Sequence, residues 1–463
     1  MKGSRKTLEY VPRWLVGIGD VFLVNAGFAL AFVIRFGLDV PQVNVRPFIE
    51  TLPWISGLTA LLFLGLGLYE KRLNGFFPVF RSLITGVVLI VLSAMVLTFW
   101  FREFAFPRSV LILGGFCQIV LLVLWRWLMW HGDRLLYGQR TFALIGPAAD
   151  VETIAGKLLE LPRDSVRIAK VVELNEGLDL EAELTGMDGV LVAPSVPREL
   201  KAQILNACIA TGQEVYLVPD LYDVAVSNAR VGQIDDLPVM QIQDIRLSGF
   251  QAFTKRALDL VAALAGLIVF APVMLVAAVL VAVTSKGPVI YTQQRVGQFG
   301  REFSIYKFRT MVADAEKVTG PVLATEKDPR VTPVGRFLRA TRLDELPQLF
   351  NILKGDMSLV GPRPERPFFV EQFEKANPEY RYRYLVKPGI TGLAQVYGRY
   401  TTSAEDKLRY DLYYIRNYSL LLDLRIILQT IPILLHPATA RGGKESTAQQ
   451  FTNLLAEQEK PSI

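Results

Sequence analysis

Four stretches of this chain, roughly Trp14 to Phe36, Phe48 to Tyr69, Val79 to Phe101 and Val110 to Trp130, are almost wholly apolar. Each reaches the ~20 residues a helix needs to cross a bilayer core, which predicts four transmembrane helices over 1–138. The rest of the composition agrees, with 51% of the 463 residues hydrophobic and only 20% charged. Lys and Arg are dense before the first run, between the second and third, and after the fourth, which places the N-terminus and the chain beyond the bundle in the cytoplasm. Trp54, Trp100, Trp125, Trp127 and Trp130 cluster near helix ends, as indoles do at a membrane interface. Arg126 lies close enough to one end to snorkel. The first run has spanning length and no small-residue cleavage site follows it, so it is expected to stay attached.

From Arg140 the pattern changes. TFALIG, RIAKVVEL, GVLVAPS and EVYLVPD read as short strands, and the segments between them as amphipathic helices. Such βαβ alternation predicts a small parallel-sheet, Rossmann-like domain over 139–249, with a connector at its end. A dinucleotide site wants G-x-G-x-x-G after the first strand, but the turn here reads G-P-A-A-D from Gly146, so this domain is read as a spacer or regulatory element.

The third region, 250–437, opens with an apolar stretch from Ala257 to Thr284, long enough to span a bilayer. Pro272 near its middle and basic flanks on both sides, Lys255 and Arg256 before it and Lys286 and Arg295 after it, favour a helix over about 255–284 that breaks at Pro272, dips into the membrane and returns. A fifth crossing is the alternative. Lys255, Arg256 and Asp259 are read as headgroup anchors. YSLLLDLRIILQTIPILL, further on, suits either the interface or the packed core. The end, 438–463, is polar and expected to be disordered.

RLDELPQLFNILKGDMSLVGPRPE, Arg342 to Glu365, carries the chemistry. Pro347 suits a first helical turn and Gly355 a helix end, so Asp344 is either a plain N-cap or a carboxylate held at a functional helix terminus. Around it lie Lys307, Arg309, Arg336, Arg339, Arg342, Lys354, Arg363 and Arg366, a density of cations that asks for an anion such as a nucleoside diphosphate. Pairing with Asp314, Glu316, Asp328 and Glu345 would account for some of them. Pro362 and Pro364 stiffen the backbone around Arg363 and lower the entropy lost on gripping a ligand. Two cysteines, Cys117 and Cys208, and two histidines, His131 and His436, sit without ligand spacing, which argues against zinc sites and a histidine triad. The net charge of +6 suits anionic lipids or a phosphate substrate as well as it suits nucleic acid and does not choose among them; no nucleic-acid partner is expected for the reading that follows.

This segment, with QQRVGQFGREFSIYKFRTM before it and VKPGITGLAQVYGR after it, resembles the bacterial sugar transferases, the polyprenyl-phosphate phosphoglycosyl transferases; the four helices and α/β domain resemble the family's larger members. The resemblance implies a mixed α/β catalytic domain held by a re-entrant helix on the cytoplasmic face of the bacterial inner membrane. It implies transfer of a sugar 1-phosphate from a UDP-sugar to polyprenyl phosphate, with UMP released, at the start of capsule, exopolysaccharide or O-antigen synthesis. It implies Mg²⁺, membrane lipids as surroundings, and a homodimer. Asp344 falls on the family's nucleophile and Glu345 on its partner, both toward the metal; Lys307, Arg309, Arg339, Pro362, Arg363 and Pro364 fall on substrate-binding positions. Asp356 is either a second metal or positioning acid or a turn residue. Arg342 stands where the family often has a small polar residue. The rivals are a membrane-tethered nucleotide-sugar epimerase or dehydratase, whose Y-x-x-x-K pair and glycine-rich turn are missing, and an inactive assembly protein, against which the intact dyad argues. No motif identifies the sugar.

Overall fold

The computed structural model describes residues 12–70, 76–100, 107–159, 167–173, 180–242, 245–312, 328–398 and 402–434. The tail 438–463, His436, Asp314 and Glu316 lie outside them. The chain forms two compact units, the first ending at Asp220 and the second starting at Leu221.

In the first unit the four apolar runs are helices: α1 (Arg13–Phe36), α2 (Gln42–Gly65), α3 (Phe76–Trp100) and α4 (Arg108–Tyr137). At 1.5 Å per residue the shortest is about 36 Å long, enough to cross a hydrocarbon core. Phe28, Phe63, Ile90 and Leu122 fill the bundle, while Trp14, Phe22, Leu61 and Phe116 face outward. An apolar exterior as well as interior suits a lipid solvent. Gly27 and Gly114 let α1 and α4 meet closely, since a Cβ on either would strike Gln118 or Phe28. Arg126 does not snorkel: it is paired with the fully buried Asp20 of α1, because a cation beside an interior carboxylate needs no headgroup.

The same unit carries β1 (Thr141–Gly146), α5 (Ala148–Leu159), β2 (Arg167–Glu173), α6 (Leu180–Leu184), β3 (Gly189–Val192), α7 (Arg198–Thr211) and β4 (Glu214–Leu217). The strands are all parallel, in the order β2-β1-β3-β4. A ligand crevice of such a sheet opens where the order reverses, between β1 and β3. Here Gly146 is pressed against Ala193, and the Asp150 carboxylate accepts from Ser195 N at 3.1 Å, so the protein's own anion takes a donor that a phosphate would want.

The second unit starts with α8 (Leu221–Val226) and a hairpin of β5 (Arg230–Ile234) and β6 (Leu237–Gln241). The expected 139–249 domain is therefore divided, because Val224 packs in the second unit's core. There follow α9 (Gly249–Thr284), the antiparallel pair β7 (Ile290–Val296) and β8 (Glu302–Phe308), α10 (Pro333–Ala340), α11 (Gln348–Lys354), β9 (Ser358–Val360), α12 (Pro367–Ala376), β10 (Gly389–Thr391), α13 (Leu393–Tyr397), α14 (Ala404–Arg416) and α15 (Leu420–Leu434). Parallel pairing of β9 with β10 and the packing of α13, α14 and α15 make the core behind the catalytic segment.

α9 opens on a capping box between Ser248 and Gln251 and runs for 36 residues, about 54 Å, with Pro272 inside it. Pro272 lies inside this one helical element, where its missing N–H removes a helical hydrogen bond. Both halves are held by the same unit. Ala263 packs with Leu349 and Ile352, and Ala277 and Val281 with Phe308 and Leu338. Its other side, including Phe253, Val261, Ile268, Leu275 and Val283, is exposed and apolar. Lys255, Arg256 and Asp259 are not headgroup anchors. Lys255 is buried and donates to Asp423 at 2.7 Å, Val360 O and Tyr414 Oη; Asp259 accepts from Ser358 Oγ and Leu359 N; Arg256 donates to the carbonyls of Ile352 and Leu353 at the end of α11.

Candidate active site

The RLDELPQLF segment folds in three steps. α10 starts on a Thr332 cap, with Pro333 at its first position, and gives way to Arg342 in the left-handed region, φ 58°. A single 3-10 turn over Leu343–Glu345 follows, and Pro347 then leads into α11. Asp344 is thus not the cap of α11: it lies a turn ahead and makes no side-chain capping bond. Its side chain points inward, only 7% exposed, and its Oδ1 is buried without a hydrogen-bond partner. A plain capping aspartate would have found a backbone N–H.

Glu345 is the opposite case. Lys307 Nζ from β8 and Arg363 Nη2 from the loop after β9 both donate to its Oε1, at 2.8 and 3.1 Å. Burial alone would raise its pKa, but Lys307 and Arg363 outweigh burial and hold it well below the usual carboxylate range. Asp344 goes the other way, pushed up to about 6 by burial and by the negative charge of Glu345, against the opposing pull of Lys307, Arg339 and Arg342. Two adjacent carboxylates are driven apart: one is fixed as an anion, the other is left bare and more basic than a free aspartate.

The Gly361-Pro362-Arg363-Pro364 loop is held from behind. Arg295 donates to Pro364 O at 3.1 Å, and Arg383 donates to Arg363 O at 2.9 Å while paired with Asp411 at 2.8 Å. Gly361 and Gly389 sit where any Cβ would strike the other strand's backbone, so β9 and β10 draw the loop close. A shallow pocket results, lined by Arg295, Ile305, Lys307, Gln348, Arg363, Pro364 and Gly389. Pro362 faces a second hollow on the loop's other side, with Arg383 and Tyr384. Burial lowers Arg295 to about 10, so it remains a cation at neutral pH.

Of the residues expected from the sequence, Asp344, Glu345, Lys307 and Arg363 come together, and Pro364 lines the pocket with Lys307 and Arg363, whereas Asp344 and Glu345 are not part of its lining. Arg339 bonds Thr310 Oγ1 at 2.8 Å, and its charge acts on Asp344. Arg309 is a correction: its guanidinium bonds Ser285 O, Ser285 Oγ and Pro288 O, because the end of α9 leaves carbonyls that need a donor. Asp356 lies two residues beyond the end of α11 and is bonded by Asn351 Nδ2 at 3.4 Å, which suits the turn alternative. Sequence reasoning took Arg295 only as a basic flank of the apolar helix and passed over Gln348, Arg383 and Asp411. Arg295 was legible as part of QQRVGQ; Arg383 and Asp411 had no signal, since their pairing joins segments 28 residues apart.

Asp344 and Glu345 suit a divalent cation in one respect, the unpartnered Asp344 oxygen. Among the described residues no cluster of three or more acidic, histidine or cysteine ligands exists, so a metal here would draw further ligands from water and from a substrate's phosphates, as Mg²⁺ does.

Fold and site define a class: an α/β unit built on a long apolar helix, with two adjacent carboxylates set among cations. Comparison with known proteins gives the particular family. Residues 250–437 match the bacterial sugar transferases. The chain belongs to that family. It is 43% identical over 242 residues to the UDP-N-acetylgalactosamine-undecaprenyl-phosphate N-acetylgalactosaminephosphotransferase of Aeromonas hydrophila, covering 52% of this chain and 56% of that one. It is 38% identical over 288 residues to the UDP-glucose:undecaprenyl-phosphate glucose-1-phosphate transferase of Klebsiella pneumoniae, covering 61% and 58%. A putative undecaprenyl-phosphate N-acetylgalactosaminyl 1-phosphate transferase of Bacillus subtilis is 49% identical over 151 residues, 32% of this chain and 84% of the relative. The chain spans little more than half the length of the first two.

Proposed function

We propose that the protein transfers a sugar 1-phosphate from a UDP-sugar to polyprenyl phosphate at the cytoplasmic face of a bacterial inner membrane, the first step of a surface polysaccharide. The observation that carries this is the buried, unpartnered carboxylate of Asp344 beside a Glu345 already neutralised by Lys307 and Arg363. An Asp344 oxygen attacks the sugar-linked phosphorus; the bond to the bridging oxygen breaks and UMP leaves, so the sugar phosphate is held on the carboxylate. An oxygen of polyprenyl phosphate then attacks the same phosphorus, the bond to Asp344 breaks, and polyprenyl diphosphate sugar departs. The acceptor's second pKa is about 6, so no general base is needed. Lys307, Arg363 and Arg295 would hold the pyrophosphate in the pocket, which is where phosphoryl transfer gains most. Mg²⁺ on the dyad would neutralise further phosphate charge.

The long helix supports a one-sided seat in the membrane. Because both halves of α9 pack on one α/β unit, a straight crossing would drag that unit into the bilayer; an α9 that dips and returns, bending at Pro272, exposes only its apolar side to lipid. The names of the relatives differ in their sugar, N-acetylgalactosamine in one and glucose in another, and a panel of UDP-sugars with Mg²⁺ and polyprenyl phosphate, read by UMP release, decides which is used here. Release from none of them would end this reading.

A further inference from the structure

The cations around the dyad are of two kinds. Lys307 and Arg363 line the pocket and are bonded to Glu345. Arg342 lines no part of that pocket; it is exposed, two residues before the buried Asp344, and among the described residues its guanidinium makes no hydrogen bond or ion pair. Its backbone is the second observation. At φ 58°, ψ 14°, directly after the Thr341 end of α10, it occupies the left-handed position that helices ordinarily give to glycine or asparagine. The turn is fixed on both sides by Arg342 N on Arg339 O and Glu345 N on Arg342 O, and by Leu343, packed in the cluster that α9 and β8 share. It sends Asp344 inward and Arg342 outward.

The third observation is what lies next to it. α10 rests on the C-terminal half of α9, with Val334 and Leu338 against Ala277 and Val281. The residues next in sequence to those contacts, Phe337 on α10 and Val276 and Leu280 on α9, are exposed and apolar. A lipid tail lying along these side chains would leave its headgroup near the turn that follows α10, where Arg342 stands.

We propose that Arg342 receives the phosphate monoester of the acceptor lipid and steers it onto the sugar phosphate held by Asp344. This rests on the transferase reading above and deepens it. The acceptor carries about −1.5 to −2 charge and must approach a phosphodiester-like centre that is itself negative, so an unpaired guanidinium at the lipid side removes the repulsion and offers a two-pronged hold on the phosphate. The nucleotide's phosphates have their own cations in the pocket. Arg342 therefore binds one substrate only, while its charge also helps to lower the pKa of both dyad carboxylates.

The test is steady-state kinetics on the full chain in detergent, varying UDP-sugar and undecaprenyl phosphate separately, for wild type, Arg342→Asn and Arg342→Lys. Asparagine tolerates the left-handed backbone, so the first variant removes the charge and keeps the turn. The expected result is a KM for undecaprenyl phosphate raised about tenfold in Arg342→Asn, a KM for UDP-sugar within twofold of wild type, and partial recovery in Arg342→Lys. A rise confined to UDP-sugar, an equal rise for both, or no rise in either overturns the assignment. If wild type turns over and the asparagine variant keeps its acceptor KM, this inference alone falls; if wild type releases no UMP from any UDP-sugar, the transferase reading falls with it.

Discussion

Asp344 and Arg342 show what the site costs its own fold. A carboxyl raised from the ordinary aspartate range to about 6 binds its proton more tightly folded than unfolded, so the folded state loses stability as pH rises from about 4 through 6. The difference amounts to roughly 3 kcal/mol. Asp344→Asn should therefore abolish UMP release and yet raise the thermal midpoint at pH 7.5, with the gain shrinking toward zero near pH 4; scanning calorimetry at the two pH values checks it. In the wild type, the proposed attack by ionised Asp344 predicts that kcat/KM for UDP-sugar falls about tenfold per pH unit below about 6. Glu345→Gln should impair turnover strongly, since Lys307 and Arg363 would lose the anion that holds them. Arg342→Gly should raise stability by about 1 kcal/mol, measured by denaturant unfolding, because glycine adopts φ 58° without strain.

The elements behind the dyad are joined by buried polar pairs, which a run of apolar residues cannot announce. α9 is pinned at its N-terminal half through Lys255 to Asp423 of α15 and through Asp259 to β9, the strand that feeds the Arg363 loop. Burial raises the Asp423 pKa against the pull of Lys255 and a hydrogen bond from Tyr414 Oη at 2.7 Å, and Lys255 is the cation that pairs with the carboxylate. Lys255→Met alone should cost about 3–5 kcal/mol by stranding the charge. Adding Asp423→Leu should recover most of the loss, which a double-mutant cycle of unfolding midpoints would measure. At the other end of α9 its last carbonyls are closed by Arg309, a residue whose motif points to substrate but whose bonds are to the helix.

For the whole molecule, the Bacillus subtilis relative is matched over 84% of its length by only 151 residues, 32% of this chain, so most of this chain has no counterpart in that match. A chain beginning at Leu221, which keeps Val224 in the core of the second unit, should keep UMP release, assayed in detergent, if the reading proposed here is correct. The sequence by itself determined the four long apolar helices, the parallel sheet and the dyad with its cationic company, because each is a local pattern: a run of spanning length, an alternation of short strands and helices, a contiguous motif. It misjudged Asp344 as a choice between cap and site, Lys255 and Asp259 as surface anchors, Arg126 as a snorkelling side chain and Arg309 as a substrate contact. In each case the residue type was plain and the partner was distant. Only the tertiary structure decided which carboxylate is satisfied and which is left bare, because a hydrogen bond between residues 18 or 168 positions apart is fixed by packing and leaves no periodicity in the chain.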